Sequence, residues 1–409
     1  MKRSRETSAL LSRRRFVAGT ALAGVLGGAS SLSFAGAGGL AGNRFVLVVL
    51  RGGMDGLGAV PALGDPDFAP ARGPLAQYGS LPLALDAIFA LHPQLVELQA
   101  MYGRGEATVV HAVGLAYRER SHFDAQQVLE SGGTRPYELT TGWLGRALSA
   151  SGRKGIALTT SVPLVLRGNA AIDTWAPSTL PDPSADLVAR LERMYTGDPS
   201  LAAALERARA LHLDAPPPAA ATMNDGMAAM APGAPRPGNF VVLSRRAAEF
   251  LSQPVGPQAA VLELGGWDTH ANQTNPNGAL ANALRQLDAG LAALRSGLMH
   301  GDAWNRTVVV VASEFGREVA VNGTLGTDHG TGGAAFVLGG AVRGGRVVTD
   351  WPGLAKTSRF EGRDLRMTTD LRAVLKGVLA DHLHVASRAL ERDVFPASES
   401  VRPVALLRT

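Results

Sequence analysis

Three apolar runs constrain this chain more than any other feature: FVLVVL at 45–50, AAVLEL at 259–264 and TVVVVA at 307–312. Val and Leu follow one another with almost no polar alternation, which suits strands buried on both faces of a parallel sheet. Each run leads into acidic residues. RGGMD ends on Asp55, GGWDTH carries Asp268 and His270, and Glu314 follows Ser313. Open α/β sheets bind ligands beyond the carboxyl ends of their strands, so carboxylates far apart in sequence are expected to converge there. A further pair, Asp328 and His329 in GTDHG, precedes another short apolar run.

The rest of the chain reads as βα alternation. Strands are expected at 45–50, 107–113, 259–264, 307–312 and 334–338, and helices at 92–101, 186–211, 247–251, 279–298 and 371–383. Ser121 to Glu130 reads as a helix with a Ser cap and Asp124 in its first turn. Thr368, Thr369 and Asp370 stand ready to cap the last helix. Asp214 to Gly238 is rich in Pro, Ala and Gly and has neither period, so it reads as a mobile insertion. The fold class is therefore α/β, a central, mostly parallel sheet flanked by helices. Residues 36–409 are expected to form one domain.

Residues 1–35 read as an export signal cleaved after Ala35, with SRRRFVAG followed by a short Ala/Leu/Gly stretch. The segment resembles a twin-arginine leader, which implies the twin-arginine export machinery as a partner and a periplasmic or secreted location. The stretch is short and glycine-rich against the roughly 20 residues that span a bilayer, so no stable membrane anchor is expected after cleavage. Six basic residues against Glu6 give this segment a net charge of +5, the formal charge of the whole chain. The remainder is neutral, which removes the general electrostatic case for nucleic acid. There is no cysteine, so disulfides, thiolate ligands and a cysteine nucleophile are all excluded.

Carboxylates and imidazoles at several strand ends form a donor set for a divalent ion such as zinc, manganese or calcium. Asp268 and His270 can share one ion if Thr269 points away, with His329 as a second imidazole and Asp328 beside it. Asp55 and Glu314 are candidates for a second ion. Plainer roles compete: Asp55 as the cap of a helix near Gly56, Glu314 as a partner of Arg317, and Asp268 with His270 as an Asx turn. Ser121 is the candidate nucleophile because a hydroxyl at a helix N-terminus faces free N–H groups, and ordinary capping is its alternative. Arg118, Arg120 and Arg317 either bind an anion or form solvated faces. His111, inside an apolar strand, reads as a core histidine, and His122 is too close to Ser121 in sequence to be taken as its base.

RGGMDGL at 51–57, RSHFDAQ at 120–126, GGWDTH at 265–270, SEFGR at 313–317, GTDHG at 326–330 and TTDLRAVL at 368–375 together resemble the secreted bacterial family called domain of unknown function 1501. That family is similar to the alkaline phosphatase and sulfatase superfamily. The resemblance implies an alkaline-phosphatase-like three-layer sandwich and a two-metal hydrolase ancestry. It places Asp55 as the early metal-binding Asp, Ser121 as the nucleophile, and Asp268, His270 and His329 as ligands of one ion. Where the superfamily has an Asp-His pair, this chain has Glu314 and Phe315, so an imidazole is lost. The Pro-Ser-Arg context that forms a formylglycine is absent around Ser121, which disfavours a sulfatase of the usual type.

The expected function is hydrolysis of a phosphate or sulfate ester, on a small molecule or a polymer, with Ser121 as nucleophile, Arg120 and Arg317 on the substrate anion, and one or two divalent ions. The alternative is a non-catalytic exported binding protein with a degenerate metal site. A carbohydrate-modifying accessory rests only on export and the insertion.

Overall fold

Every residue of β1, Arg44–Leu50, is buried, and its two faces feed two separate cores. The computed structural model describes residues 42–178, 183–213 and 239–408. The expected leader at 1–35 and the Asp214–Gly238 insertion lie outside the described residues. Val46, Val48 and Leu50 pack on one side of the sheet, and Phe45, Leu47 and Val49 on the other. Full burial of a Val, Leu or Phe side chain contributes roughly 1.5–3 kcal/mol. An apolar residue at every position from Phe45 to Leu50 therefore ties the strand to both layers.

In chain order, β1 is followed by the short helices α1, Gly56–Ala59, and α2, Phe68–Arg72, then the hairpin of β2, Leu83–Ala84, and β3, Ala90–Leu91. Helix α3, Val96–Gly103, leads to β4, Ala107–Gly114. Next come α4, His122–Ser131, and α5, Trp143–Ala150, then β5, Gly155–Ala157, and β6, Ile172–Thr174. Helices α6, Ala185–Tyr195, α7, Pro199–Leu213, and α8, Asn239–Ser252, precede β7, Ala259–Leu264. After α9, Ala279–Met299, the chain runs through β8, Thr307–Ser313, β9, Gly333–Leu338, β10, Arg346–Val348, and β11, Thr369–Asp370, into α10, Leu371–Leu383.

The main sheet has the order β10-β4-β9-β8-β1-β7-β5-β6, with β11 also paired to β4. Strand β1 is parallel to β7, with Phe45 opposite Ala259, and to β8, with Arg44 opposite Thr307. Only β9 runs antiparallel to its neighbours, β4 and β8, among the described residues of this sheet. Helices α3, α8 and α9 cover one face, and α4, α5 and α10 cover the other. The result is a three-layer α/β/α arrangement. Because β9 is reversed, its first residues lie at the same edge as the last residues of β1, β7, β8 and β4.

Several boundaries differ from the sequence reading. Helix α3 starts at Val96 rather than near His92, because its free N–H groups are capped from another element: the Asp288 carboxylate of α9 accepts from Glu97 at 3.0 Å and Leu98 at 2.9 Å. The helix expected over 186–211 is two helices, broken at Thr196–Asp198 ahead of Pro199, whose ring disfavours helical backbone in the residue before it. Helix α8 reaches back to Asn239, with Phe240, Leu243, Ala247 and Leu251 buried at helical spacing. Ser121 heads α4 without a side-chain capping bond, whereas Asp370 caps α10 through the N–H of Arg372 at 2.8 Å. His111 is a core residue, its Nε2 2.9 Å from the Val60 carbonyl. Among the described residues no helix is long and apolar enough to cross a membrane.

Candidate metal centre

The loops that leave β1, β7, β8 and β4, and the one that enters β9, meet at one edge of the sheet. Gly52, at φ 123°, lets the β1 loop cross the β7 loop: a Cβ there would lie 2.6 Å from the Asp268 nitrogen. Its own N–H donates to Glu314 at 2.8 Å. The loop before β9 lies against the other side, where a Cβ on Gly326 would fall 2.2 Å from the His270 carbonyl carbon. These close approaches bring Asp268, His270, Glu314 and His329 together.

His122, the first residue of α4, completes the group. Its Nε2 faces His329 Nε2 at 3.0 Å and Asp268 Oδ2 at 3.4 Å, and His329 Nε2 lies 3.2 Å from Asp268 Oδ1. Both Nδ1 atoms are committed elsewhere. That of His122 is 2.9 Å from Glu314 Oε1, and that of His329 is 2.9 Å from the Arg120 carbonyl. Arg120 takes a left-handed conformation at φ 59°, sparsely populated for a residue with a side chain, and in it presents that carbonyl to His329. With each Nδ1–H donating, both Nε2 atoms carry lone pairs aimed at one point.

Two lone pairs at 3.0 Å repel unless a cation stands between them. A proton on His122 is one solution: the hydrogen bond to Glu314 pulls this imidazole above its ordinary value, against the opposing effect of burial. His329 moves the other way, lowered first by burial and then by the nearby charges of His122 and Arg317. A divalent ion is the other solution. Bonds of about 2.0–2.2 Å to nitrogen and oxygen give a tetrahedral centre with ligand–ligand edges of roughly 3.3–3.5 Å. The imidazole–imidazole edge is within a few tenths of that, Asp268 sets one oxygen near each imidazole, and one ligand atom from each of the three residues lies within 4.8 Å of the others; the tie from each Nδ1 to a carboxylate or carbonyl is the usual support of a metal-binding imidazole. Among the described residues His122, Asp268 and His329 are the one group of three that fits an ion.

The surrounding residues hold this group in place. Burial alone would raise the Asp268 carboxyl, but Arg317 outweighs it, with Nη1 at 2.6 Å from Oδ1, and keeps the group ionised. Glu314 is fully buried; burial is outweighed by His122, by Gln126 at 3.2 Å and by the Gly52 N–H, so it too stays ionised. Phe315 packs its ring 4.7 Å from that of His122 and 5.1 Å from that of His329, closing the inner side. His270 sits at the rim, Nδ1 3.0 Å from Asp268 Oδ1. Thr269, between them, is buried.

Several expected roles are corrected. Asp55 is not part of the group. It caps α1 through the Gly58 N–H at 3.0 Å and also accepts from Arg72 at 2.5 Å and Gln273 at 2.6 Å. Burial pushes its pKa up, but the charge of Arg72 overrides this, so the carboxylate is ionised and its oxygens are used. Glu314 pairs with His122 and not with Arg317. Asp55 and Glu314 are each engaged by other protein groups, and among the described residues they do not form a second cluster of metal-ligating side chains. Asp328 is exposed, 4.0 Å from His270 Nε2 and bound by Asn322 at 3.2 Å. Neither expected anion-binding arginine is open: Arg317 is buried against Asp268, Thr327 and Gly52, and Arg120 reaches Asp364 at 2.8 Å and Glu361 at 2.5 Å. His122 and Gln126 were missed. Both lie in RSHFDAQ, four residues apart on one helix face, and that spacing was the available signal.

The chain belongs to the family described as protein of unknown function DUF1501, whose pattern matches residues 86–394. No curated protein matches the sequence. Among solved structures it is similar to murine ectonucleotide pyrophosphatase/phosphodiesterase 5, at 10% identity and TM-score 0.31, covering 67% of this chain and 57% of that one. It is also similar to the phosphonate monoester hydrolase of Agrobacterium radiobacter, at 10% identity and TM-score 0.38, covering 84% and 74%. A protein of the alkaline phosphatase superfamily from Vibrio parahaemolyticus matches at 11% identity and TM-score 0.37, covering 74% and 62%. The chain thus spans a little over half the length of the murine enzyme.

Proposed function

We propose that this member of the DUF1501 family is a metal-dependent hydrolase of a phosphate or sulfate ester, exported and cut after Ala35, with one ion held by His122, Asp268 and His329. The observation that supports this best is the pair of Nε2 atoms facing each other at 3.0 Å beside a carboxylate, with both Nδ1 atoms tied down. Two imidazoles and one carboxylate suit zinc or manganese better than calcium, which takes six to eight oxygens. Bound there, such an ion would polarise an ester oxygen and offset charge in the transition state.

Ser121 is the nucleophile in this reading. It stands between Arg120, whose carbonyl orients His329, and His122 itself. Its hydroxyl does not cap α4, and the nearby Tyr117 phenol donates to Asp124 at 3.1 Å. Burial, then Asp124, pushes that phenol up to about 12, so Tyr117 stays protonated at neutral pH and does not serve as the base for Ser121. Attack of Oγ on phosphorus or sulfur forms one ester bond and breaks another. The serine proton ends on the departing alcohol, and water then releases the acid from Oγ.

The test is turnover of aryl phosphate and aryl sulfate esters by metal-loaded protein. Loss of turnover in Ser121→Ala and Asp268→Ala is expected, and full rates in both variants would show the assignment to be wrong. One observation favours the second reading, a non-catalytic binding protein: both nearby arginines are already held by carboxylates. Metal bound without turnover across the ester panel would select it.

A further inference from the structure

The turn at 360–364, between β10 and β11, has no part so far beyond occupying Arg120, yet it reaches the group of His122, Asp268 and His329 by two routes. The Phe360 N–H donates to the Asp364 carbonyl at 2.9 Å and the Asp364 N–H to the Phe360 carbonyl at 3.0 Å, with Glu361 at φ 56° and Gly362 at φ 68° between them. This reciprocal pair closes the turn and fixes where its side chains start. By the first route Arg363 Nη2 donates to the His329 carbonyl at 2.5 Å, while its Nε pairs with Glu318 at 2.8 Å. By the second, the fully buried Asp364 accepts on Oδ2 from Arg120 Nε at 2.9 Å and Nη2 at 2.8 Å.

As a source of stability Asp364 is a poor choice. Its Oδ1 has no hydrogen bond among the described residues, and Arg363 Nη1 stands 3.7 Å away. A buried carboxylate with an unfilled oxygen contributes little to folding compared with an apolar side chain of its size. What it secures is the conformation of Arg120. That residue stands at φ 59°, a region that a residue with a side chain adopts at a cost. In this conformation the Arg120 carbonyl accepts from His329 Nδ1 at 2.9 Å, which leaves the Nε2 lone pair for an ion. Glu361 also reaches Arg120 Nη2, at 2.5 Å, but it is exposed, and exposed pairs contribute little. The bond to buried Asp364 is shielded from water.

We infer that Asp364 is a positioning residue of the metal centre: it anchors the Arg120 side chain so that the left-handed Arg120 backbone turns its carbonyl to His329 and aims His329 Nε2 at the ion. The inference rests on the proposed site of His122, Asp268 and His329. Asp364 acts on that site through Arg120.

The test compares three variants of the full chain with the parent by cobalt(II) competition titration and by the visible absorption of bound cobalt, with circular dichroism as the check on folding. Asp364→Ala releases Arg120 and is expected to weaken cobalt binding about 10-fold or more, the range for a lost outer partner. Arg120→Ala/Asp364→Ala and Arg120→Gly/Asp364→Ala both remove the two partners together, so neither leaves a buried charge unpaired. They differ in whether residue 120 takes a positive φ freely, as glycine does. The glycine variant is expected to recover most of the parent affinity and its spectrum, and the alanine variant to stay about 10-fold or more weaker with an altered spectrum. A merely structural Asp364 would move both alike. The inference is overturned if Asp364→Ala binds cobalt as the parent does, or if the glycine variant is as weak as the alanine one. Should Asp364→Ala not fold, the two double variants still decide. Nitrogen-15 NMR of the histidines in metal-free protein separates this inference from the metal reading beneath it. A parent that takes no cobalt, yet keeps the His329 proton on Nδ1 and loses that preference in Asp364→Ala, would sink the metal reading and leave the positioning of His329 standing. No cobalt and no change at His329 would overturn both.

Discussion

The buried Asp55–Arg72 pair separates a structural carboxylate from a functional one. Asp55→Ala leaves a guanidinium without its partner in the core, a change that costs about 3–5 kcal/mol. Urea unfolding is expected to show that loss while bound metal stays at the parent level; lost metal with little lost stability would return Asp55 to the ligand set. Glu314 is the converse case. It touches no ion position itself but fixes His122 through Nδ1 at 2.9 Å. Glu314→Gln is expected to weaken metal binding by about 10–100-fold, the usual effect of losing such an outer partner. A competition titration with a chelator reads it directly, and unchanged affinity would contradict the role. Asp268, His270 and His329 were legible because each sits in a short acidic–histidine motif. His122 was not, since only its four-residue spacing from Gln126 marks it. The partners of Arg120 and Arg317 are equally hidden in sequence, because Asp364 and Asp268 come from distant loops.

Among the elements, the apolar runs of β1, β7 and β8 declared themselves because strands buried on both faces leave few polar positions. The antiparallel direction of β9 did not, since direction depends on which neighbours a strand meets and not on its own composition. That reversal brings His329 to the edge where the other strands end. The start of α3 was also hidden, its cap being Asp288 from another helix. Gly52 is a close crossing between the β1 and β7 loops. Gly52→Ala places a methyl group 2.6 Å from the Asp268 nitrogen at φ 123°. We expect a loss of about 1–3 kcal/mol for the forced conformation alone, together with weaker metal binding as the β7 loop shifts. A variant with parental stability and affinity would show that these loops yield freely.

For the whole molecule, pH dependence follows from the buried carboxylates. Asp55 is held below its ordinary value in the folded state, so its contribution is fully present above the unfolded pKa of about 3.9 and is lost as pH falls through the folded pKa. Chemical unfolding measured from pH 7 downward is therefore expected to show stability falling in the acid range, with a smaller fall for Asp55→Asn. Equal slopes for the two proteins would show that other groups dominate. The central claim, a one-ion centre of His122, Asp268 and His329, is tested most directly by elemental mass spectrometry of purified protein reconstituted with zinc or manganese, with His122→Ala beside it. The account predicts about one equivalent in the parent and little in the variant. No metal in the parent after reconstitution, or the same content in both, would contradict it.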